Sequence, residues 1–459
     1  MKRVLIILFA FLALRGQAQS SNDILNILVA NKSISQEQAD SIRAESAINQ
    51  QTTVPEKKLT IEFEYRPRAE YRNGYQVLRN DSSSAAVFAN QRSRLSLNYT
   101  YDNRFILQFS VQDLRVWGQQ DPRYTGATLQ VFEAWAEPYL TDKLSLRIGR
   151  QRIMYDNQRL FAENDWRLSA AVHDAVNLRY YGQNLSSELA FAFNQTSERL
   201  LGTDYSPVGF TNYKFLAVHY LKYNFSKTTI LTLLNSTDGF QKKTDTEKMN
   251  FRYTLGGRIE GTIGSVYATM SAYYQGGRNS SGKELQAYYL QPEIRFTYGT
   301  SLTVRAGMEY FSGGGNKAGM NIDKSFVPLY GVAHRFNGSM DLITKFPGDV
   351  GGSGLINPYL FLIKPLNPKF EVRSDFHTFH LQNNYYVNDV AIDKYLGFEN
   401  DWLLTYKPNP VTKIDIGFSY MVPTETLETI KAAGSSKYNL SWFFISMTFK
   451  PVLFTTKFK

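Results

Sequence analysis

The residues with chemical potential in this chain are arginines, and they recur beside carboxylates. Arg66 and Arg68 share one short segment, Arg92 and Arg94 the next, and Arg147, Arg258, Arg295 and Arg305 follow. Glu62, Glu64, Glu293, Glu309 and Glu399 accompany them. A guanidinium offers a planar fork of donors that fits a carboxylate or phosphate through two hydrogen bonds, and it stays charged at every relevant pH. Such groups can pair with acids on neighbouring elements and brace a wall, or they can present donors to an anionic solute. The density of acids predicts bracing for most of them and solute contact for a minority at a constriction.

Two other stretches concentrate charge and aromatic rings. The first opens with Gly149-Arg150-Gln151-Arg152 and runs through Arg159, Trp166 and His173-Asp174. An exposed loop has no need of so many cations beside rings, so an inward fold against acidic wall residues is expected. The second, residues 312 to 354, holds His334, Arg335 and Asp341 between glycine-rich flanks. It is longer than a bare connection requires and is expected to narrow a lumen. Catalysis has little support. His173 beside Asp174, and His377 near Asp375, could be drawn as acid–base pairs, but no nucleophile elbow accompanies them. No HExxH, CxxC or Walker spacing occurs. The chain has no cysteine, which removes disulfides and thiolate metal sites. The reading is of a protein without catalytic residues, resident metal or cofactor.

The elements that must position these residues are strands. From Lys58 onward the apolar period is two: Leu59, Ile61, Phe63 and Tyr65 alternate with Thr60, Glu62, Glu64 and Arg66. Phe251, Tyr253 and Leu255 alternate with Arg252 and Thr254, and Trp402 and Leu404 with Asp401 and Thr405. Long runs with one apolar and one strongly charged face fit strands crossing lipid around a watery interior. Connections alternate as well. Tight turns fall near 101–103, 140–142, 182–184, 224–227, 261–262, 298–300, 366–368 and 407–410. Long polar stretches fall at 73–90, 117–126, 151–172, 195–212, 236–248, 275–283, 312–354, 383–393 and 423–437. Strands picked by pattern alone number nineteen, because Gly331 to Thr344 passes for one. Placing 312–354 in a single loop restores the alternation and gives eighteen antiparallel strands. The last, Tyr438 to Lys450, then closes on the first, Leu59 to Tyr71, so that no edge is left open to lipid. The expected fold is all-β: a transmembrane barrel over 57–459, with short periplasmic turns and long extracellular loops.

Lys2 and Arg3, the apolar run Val4–Leu14 and the ending Gln17-Ala18 make residues 1–18 a secretory signal peptide. That run is too short to cross a bilayer as a helix. Its removal takes away Lys2, Arg3 and Arg15, lowering the net charge from +10 to +7. This surplus is spread thinly, without a lysine-rich tail or dense basic helix, so nucleic acid is not an expected partner. Residues 19–56 read as a short periplasmic extension of two helices and a linker. Asp23 to Ala30 is the first helix, and Ser35-Gln36-Glu37-Gln38 is a capping box opening a second that runs to about Ala47. The extension could meet a periplasmic partner, but it is too short to form a plug domain.

Several pieces together resemble the alginate export family of outer-membrane proteins, in the form found in Bacteroidota. They are Arg92-Ser93-Arg94-Leu95, Gln112 to Gly118, Gly149-Arg150-Gln151, Arg159-Leu160, Trp166, His173-Asp174-Ala175 and His334 to Asp341. The resemblance spans nearly all of 57–459. It implies an eighteen-strand monomeric barrel in the outer membrane of a Gram-negative bacterium, surrounded by lipid. Barrel-assembly and periplasmic chaperone machinery would insert it. It also implies an arginine-rich pore for an anionic or carbohydrate solute such as the polyuronate alginate, with Arg66, Arg94, Arg150, Arg152 and Arg159 among the contacts. A general or differently selective porin is the competing reading.

Overall fold

The computed structural model describes residues 21–31, 33–43, 56–121, 123, 126, 128–207, 212–317, 319 and 321–458. The expected signal peptide, the end of the second helix and most of the linker lie outside them.

The chain divides into two compact units, residues 1–57 with 458–459, and 58–457. In the first unit, α1 is Ser21–Ala30 and residues 36–43 form the second helix. The capping box is present in both directions. The Gln38 N–H donates to Ser35 Oγ at 3.1 Å, and the Ser35 N–H donates to Gln38 Oε1 at 2.8 Å. Two backbone donors that the helix leaves unpaired are thereby satisfied. Ala39 on this second helix is fully buried.

The second unit is a closed antiparallel barrel of eighteen strands, among the described residues. They are β1 Lys57–Asn73, β2 Ala86–Tyr101, β3 Phe105–Val116, β4 Gln130–Thr141, β5 Leu144–Gln151, β6 His173–Tyr181, β7 Leu185–Phe193, β8 Phe215–Asn224, β9 Thr229–Gln241, β10 Met249–Ile263, β11 Val266–Arg278, β12 Glu284–Tyr298, β13 Leu302–Phe311, β14 Leu355–Asn367, β15 Phe370–Leu381, β16 Tyr395–Asn409, β17 Thr412–Pro423 and β18 Leu440–Phe449. Each pairs with its sequence neighbour, and β18 returns to β1 in the register Tyr65↔Phe449 through Asn73↔Ser441. Pro451 cannot donate to the ladder, but its carbonyl accepts from the Phe63 N–H at 3.2 Å. A further strand, Val452–Phe458, then continues against the lower part of β1. Residues 331–344 form no strand, so the count of eighteen stands.

The alternation sorts side chains as the sequence requires. On β10, Phe251, Tyr253, Leu255 and Ile259 are exposed on the outer face, while Arg252, Thr254 and Arg258 are buried on the inner one. Long loops gather at one end and short turns at the other. Three strands extend further than the sequence indicated: β9 continues to Gln241, β11 to Arg278, and β2 starts at Ala86. The hydrophobic core lies inside the barrel, where inward wall residues such as Leu216, Leu234 and Tyr289 meet Phe161, Tyr330 and Leu342 from two loops.

Candidate functional site

Loops 152–172 and 312–354 fold into the lumen and join there as a parallel pair. Phe161 and Tyr330 form a parallel bridge. The Tyr330 N–H donates to the Leu160 carbonyl at 2.9 Å, Ala162 N–H to Tyr330 at 3.2 Å and Val332 N–H to Gln158 at 3.1 Å. Gly331 lets the two backbones approach: a Cβ there would lie 1.8 Å from the Arg159 carbonyl oxygen. The pair is anchored to opposite parts of the wall. Asn157 reaches Gln291 on β12, the Tyr330 hydroxyl donates to Asp238 on β9 at 2.8 Å, and the Met340 N–H donates to Glu399 on β16 at 2.7 Å. Gly338 sits at φ +78°, and a Cβ would meet the Glu399 carboxylate at 2.5 Å.

Arg159 is the latch between the loops. It is 2% exposed and ion-pairs Glu309 on β13 at 2.6 Å. It also donates to the Val332 carbonyl at 2.8 Å and to Asn337 Oδ1 at 2.6 Å. A guanidinium so enclosed cannot meet a solute, which corrects its expected place in the pore. Trp166 lies flat on His334, with ring centroids 4.5 Å apart, and edge-on to Trp442 and Phe444 of β18. The Arg68 guanidinium also lies 4.4 Å from the ring centre. His334 Nδ1 is 2.9 Å from Asp341 Oδ1, and the Tyr75 hydroxyl donates to Asp341 Oδ2 at 2.6 Å. Burial alone would raise the Asp341 carboxyl, but His334 and the Tyr75 hydroxyl hold it below its ordinary value.

The remaining arginines divide by geometry. Arg66 donates to the Asp165 and Arg167 carbonyls and pairs with the Asp165 carboxylate; Arg92 pairs with Glu64 and Asp165. Arg94 bonds Gln112 and stacks over Phe132. Asp165 therefore sits under three guanidinia. Burial pushes its carboxyl up, and Arg92, Arg66 and Arg94 outweigh that and hold it low. Arg152 pairs with Glu133 and Glu163, Arg147 with Glu137, Arg258 with Glu260 and Arg305 with Glu293. Glu62 is near Lys450 at the turn end. Arg295 lies over the Tyr267 ring. Two expectations fail on parity. Arg150 shares the outer face with Ile148, which is 46% exposed, and pairs across the ladder with Asp174. Neither lines the lumen, and His173 and Asp174 belong to β6, not to the loop. His173 turns inward to the Tyr213 hydroxyl at 2.7 Å, away from Asp174. His377 contacts Asn357. Neither acid–base pair exists.

With the centre filled, open space remains along one side, where β15 to β18 meet β1 and β2. Three cavities follow that seam. The lowest, about 510 Å³, lies among the turns with Lys369, Lys407, Lys413 and Lys450. It shares Lys413 and Thr448 with a middle cavity of about 400 Å³, which holds Arg66, Arg335, Arg373, Asp375 and Asp401. That one shares Arg68 and Trp166 with an upper cavity of about 450 Å³ bounded by Arg72, Gln76 and Arg167. Ten Lys or Arg side chains and six Asp or Glu line the three. Both ends carry the cationic excess, and the middle is balanced.

The alginate export family profile matches residues 57–345. The chain belongs to the alginate export family. This match covers all of the strands through β13 together with most of the second inward loop, and stops short of the last five strands. Among solved structures, members of this fold include OccAB1 of Acinetobacter baumannii, with TM-score 0.58 and 12% identity over 86% of this chain and 97% of that one. OpdO of Pseudomonas aeruginosa gives TM-score 0.57 and 14% identity over 86% and 98%. A BenF-like porin from Pseudomonas fluorescens gives 0.56 and 11% over 86% and 99%. No curated protein matches the chain. This alginate export family barrel is an outer-membrane protein with its apolar face toward lipid. Its lumen also uses residues the sequence did not single out: Asp165, Tyr330, Trp442, Asp401 and the turn lysines. None has a local signature. Each matters through partners 62 to 372 residues away, or through its place at the mouth of a cavity.

Proposed function

We propose that this protein is a selective, non-catalytic outer-membrane channel for small anionic or sugar-like solutes, a carboxylated carbohydrate such as a uronate oligomer being the favoured class. The observation that carries the reading is the chain of cavities along the β15–β2 seam, cationic at both mouths. Most wall arginines are neutralised by acids, so selectivity falls to Arg335, Arg167, Lys369 and Lys407. These four make no ion pair among the described residues. Among the described residues Arg335 hydrogen-bonds only the Asn157 carbonyl, leaving donors toward the middle cavity. One barrel encloses the whole path, which supports a monomer as the working unit.

A differently selective porin is favoured by one feature: the middle cavity sets Asp375, Asp401 and Asp415 among its cations. Opposed charges of this kind suit a zwitterion as well as an anion. Purified protein in planar bilayers separates the two. A reversal potential shifted toward chloride, with block by trigalacturonate and none by maltotriose, supports the first reading. Cation preference or equal block by both sugars supports the second, and absence of conductance refutes both.

A further inference from the structure

A fourth cavity lies apart from the seam. It opens at the loop end between residues 205–207 and 212, loop 242–248 and loop 279–283, and has a volume of about 920 Å³. Its floor is closed. Phe240 and Asn250 face inward and are buried there, and beneath them Arg252 pairs with Asp238, which also accepts from the Tyr330 hydroxyl. Tyr330 belongs to the loop that fills the lumen, so a solute entering here meets packed protein. The space is a blind pocket, suited to binding rather than passage.

Its lining has a distinct chemistry. Lys242, Lys243 and Arg278 contribute three cations, and among the described residues no Asp or Glu lines it. None of the three forms an ion pair among the described residues; Arg278 only donates to the Gly282 carbonyl at 2.8 Å. Below the rim Lys214 is buried, with Nζ donating to the Thr203 and Thr246 carbonyls and to Gln241 Oε1 at 2.9, 3.2 and 2.6 Å. Among the described residues no carboxylate forms an ion pair with it. These bonds tie residues 203 and 214 to loop 242–248, so the pocket's shape is fixed by a buried cation that makes no ion pair among the described residues and reaches Asp204 only through Gln241. Amides and hydroxyls at Asn212, Asn250, Ser280 and Ser281 complete the lining. Unpaired cations beside neutral polar groups, in a cavity of the size that takes small ligands, match the anions and hydroxyls of an acidic sugar.

We propose that this pocket is an extracellular binding site for an anionic oligosaccharide, separate from the conduit. A soluble oligosaccharide is the favoured source, because Phe240 and Asn250 place the pocket on the lumen side of the rim, where a lipid-anchored sugar would have to bend over the wall. The test is calorimetric titration of the full-length protein in nanodiscs with trigalacturonate, with maltotriose as the neutral control. The variant is Lys242→Gln/Lys243→Gln/Arg278→Gln, confined to the loop end, where Lys243 and Arg278 are exposed and Lys242 is half-buried. The expected result is a Kd weaker by about tenfold or more in the variant, with single-channel conductance unchanged. Wild-type affinity in the variant, equal binding of maltotriose or no binding of trigalacturonate to the native protein would overturn the proposal. Trigalacturonate can also enter the conduit, so the titration is repeated in the Arg335→Gln background: that change should remove only the conduit's share and leave the binding that the triple variant weakens, so failure of the pocket and failure of the channel reading show up separately. A second titration uses lipopolysaccharide micelles. Binding lost in the triple variant would keep the pocket and its chemistry but overturn the soluble source; binding unaffected by the variant supports it.

Discussion

Replacing Arg159 with Ala should release the two inward loops from each other without opening the barrel. Arg159 makes an ion pair with Glu309 and hydrogen bonds to Val332 and Asn337, all in a site closed to water. Removing one partner of a buried pair leaves the other charge uncompensated and costs about 3–5 kcal/mol. Here the lower end applies, since Glu309 keeps the Tyr289 hydroxyl at 2.6 Å and the Asn337 amide at 2.7 Å. About 3 kcal/mol raises the population of undocked loops by roughly a hundredfold. The strand ladders do not involve Arg159, so the barrel's resistance to unfolding in detergent should persist. The assay is single-channel recording with limited trypsin digestion: larger, noisier current steps and new cleavage within 152–172 or 312–354 are expected. Arg159→Met combined with Glu309→Gln removes both charges and should restore part of the docking. An Arg159→Ala channel with native conductance and native protease resistance would refute the latch.

Other outcomes follow from the same geometry. Trp166→Ala should enlarge the step conductance, because the ring separates the middle and upper cavities; Trp166→Phe should do so less, and ion-substitution recordings check both. Arg335→Gln should move the reversal potential toward cations, whereas Arg150→Ala, on the outer face, should leave it unchanged. Asp165 and Asp341 are both held low, so the docking they stabilise is complete above the ordinary carboxylate pKa of about 3.9 and is lost as pH falls below it. Conductance should therefore be steady from about pH 7 to 5 and rise in amplitude and noise below about pH 4, as recorded in stepwise acidification.

The barrel was legible because strand parity and turn composition are local. Phe251-Arg252-Tyr253-Thr254 states its two faces outright, and the alternation of turn and loop was enough to reject a strand at Gly331 to Thr344. The capping box at Ser35 was equally readable, since both partners lie within one turn. Function was harder to read because it depends on pairing across the lumen. Arg159 and Arg335 look alike in sequence, but one is locked against Glu309 and the other keeps donors free. The sequence misplaces Arg150 because its loop reads as opening at Gly149, whereas β5 runs on to Gln151 and its parity turns Arg150 outward. Loop 312–354 was expected to narrow a central pore. It instead fills the centre with loop 152–172, and the open space moves to the wall.

The absence of cysteine from the native chain allows the path itself to be mapped. Single substitutions Arg335→Cys, Lys413→Cys and Arg150→Cys can be exposed to a negatively charged methanethiosulfonate reagent during bilayer recording. A seam conduit predicts a stepwise fall in current for the first two and none for the third. Unaltered current at positions 335 and 413, or block at 150, would contradict it.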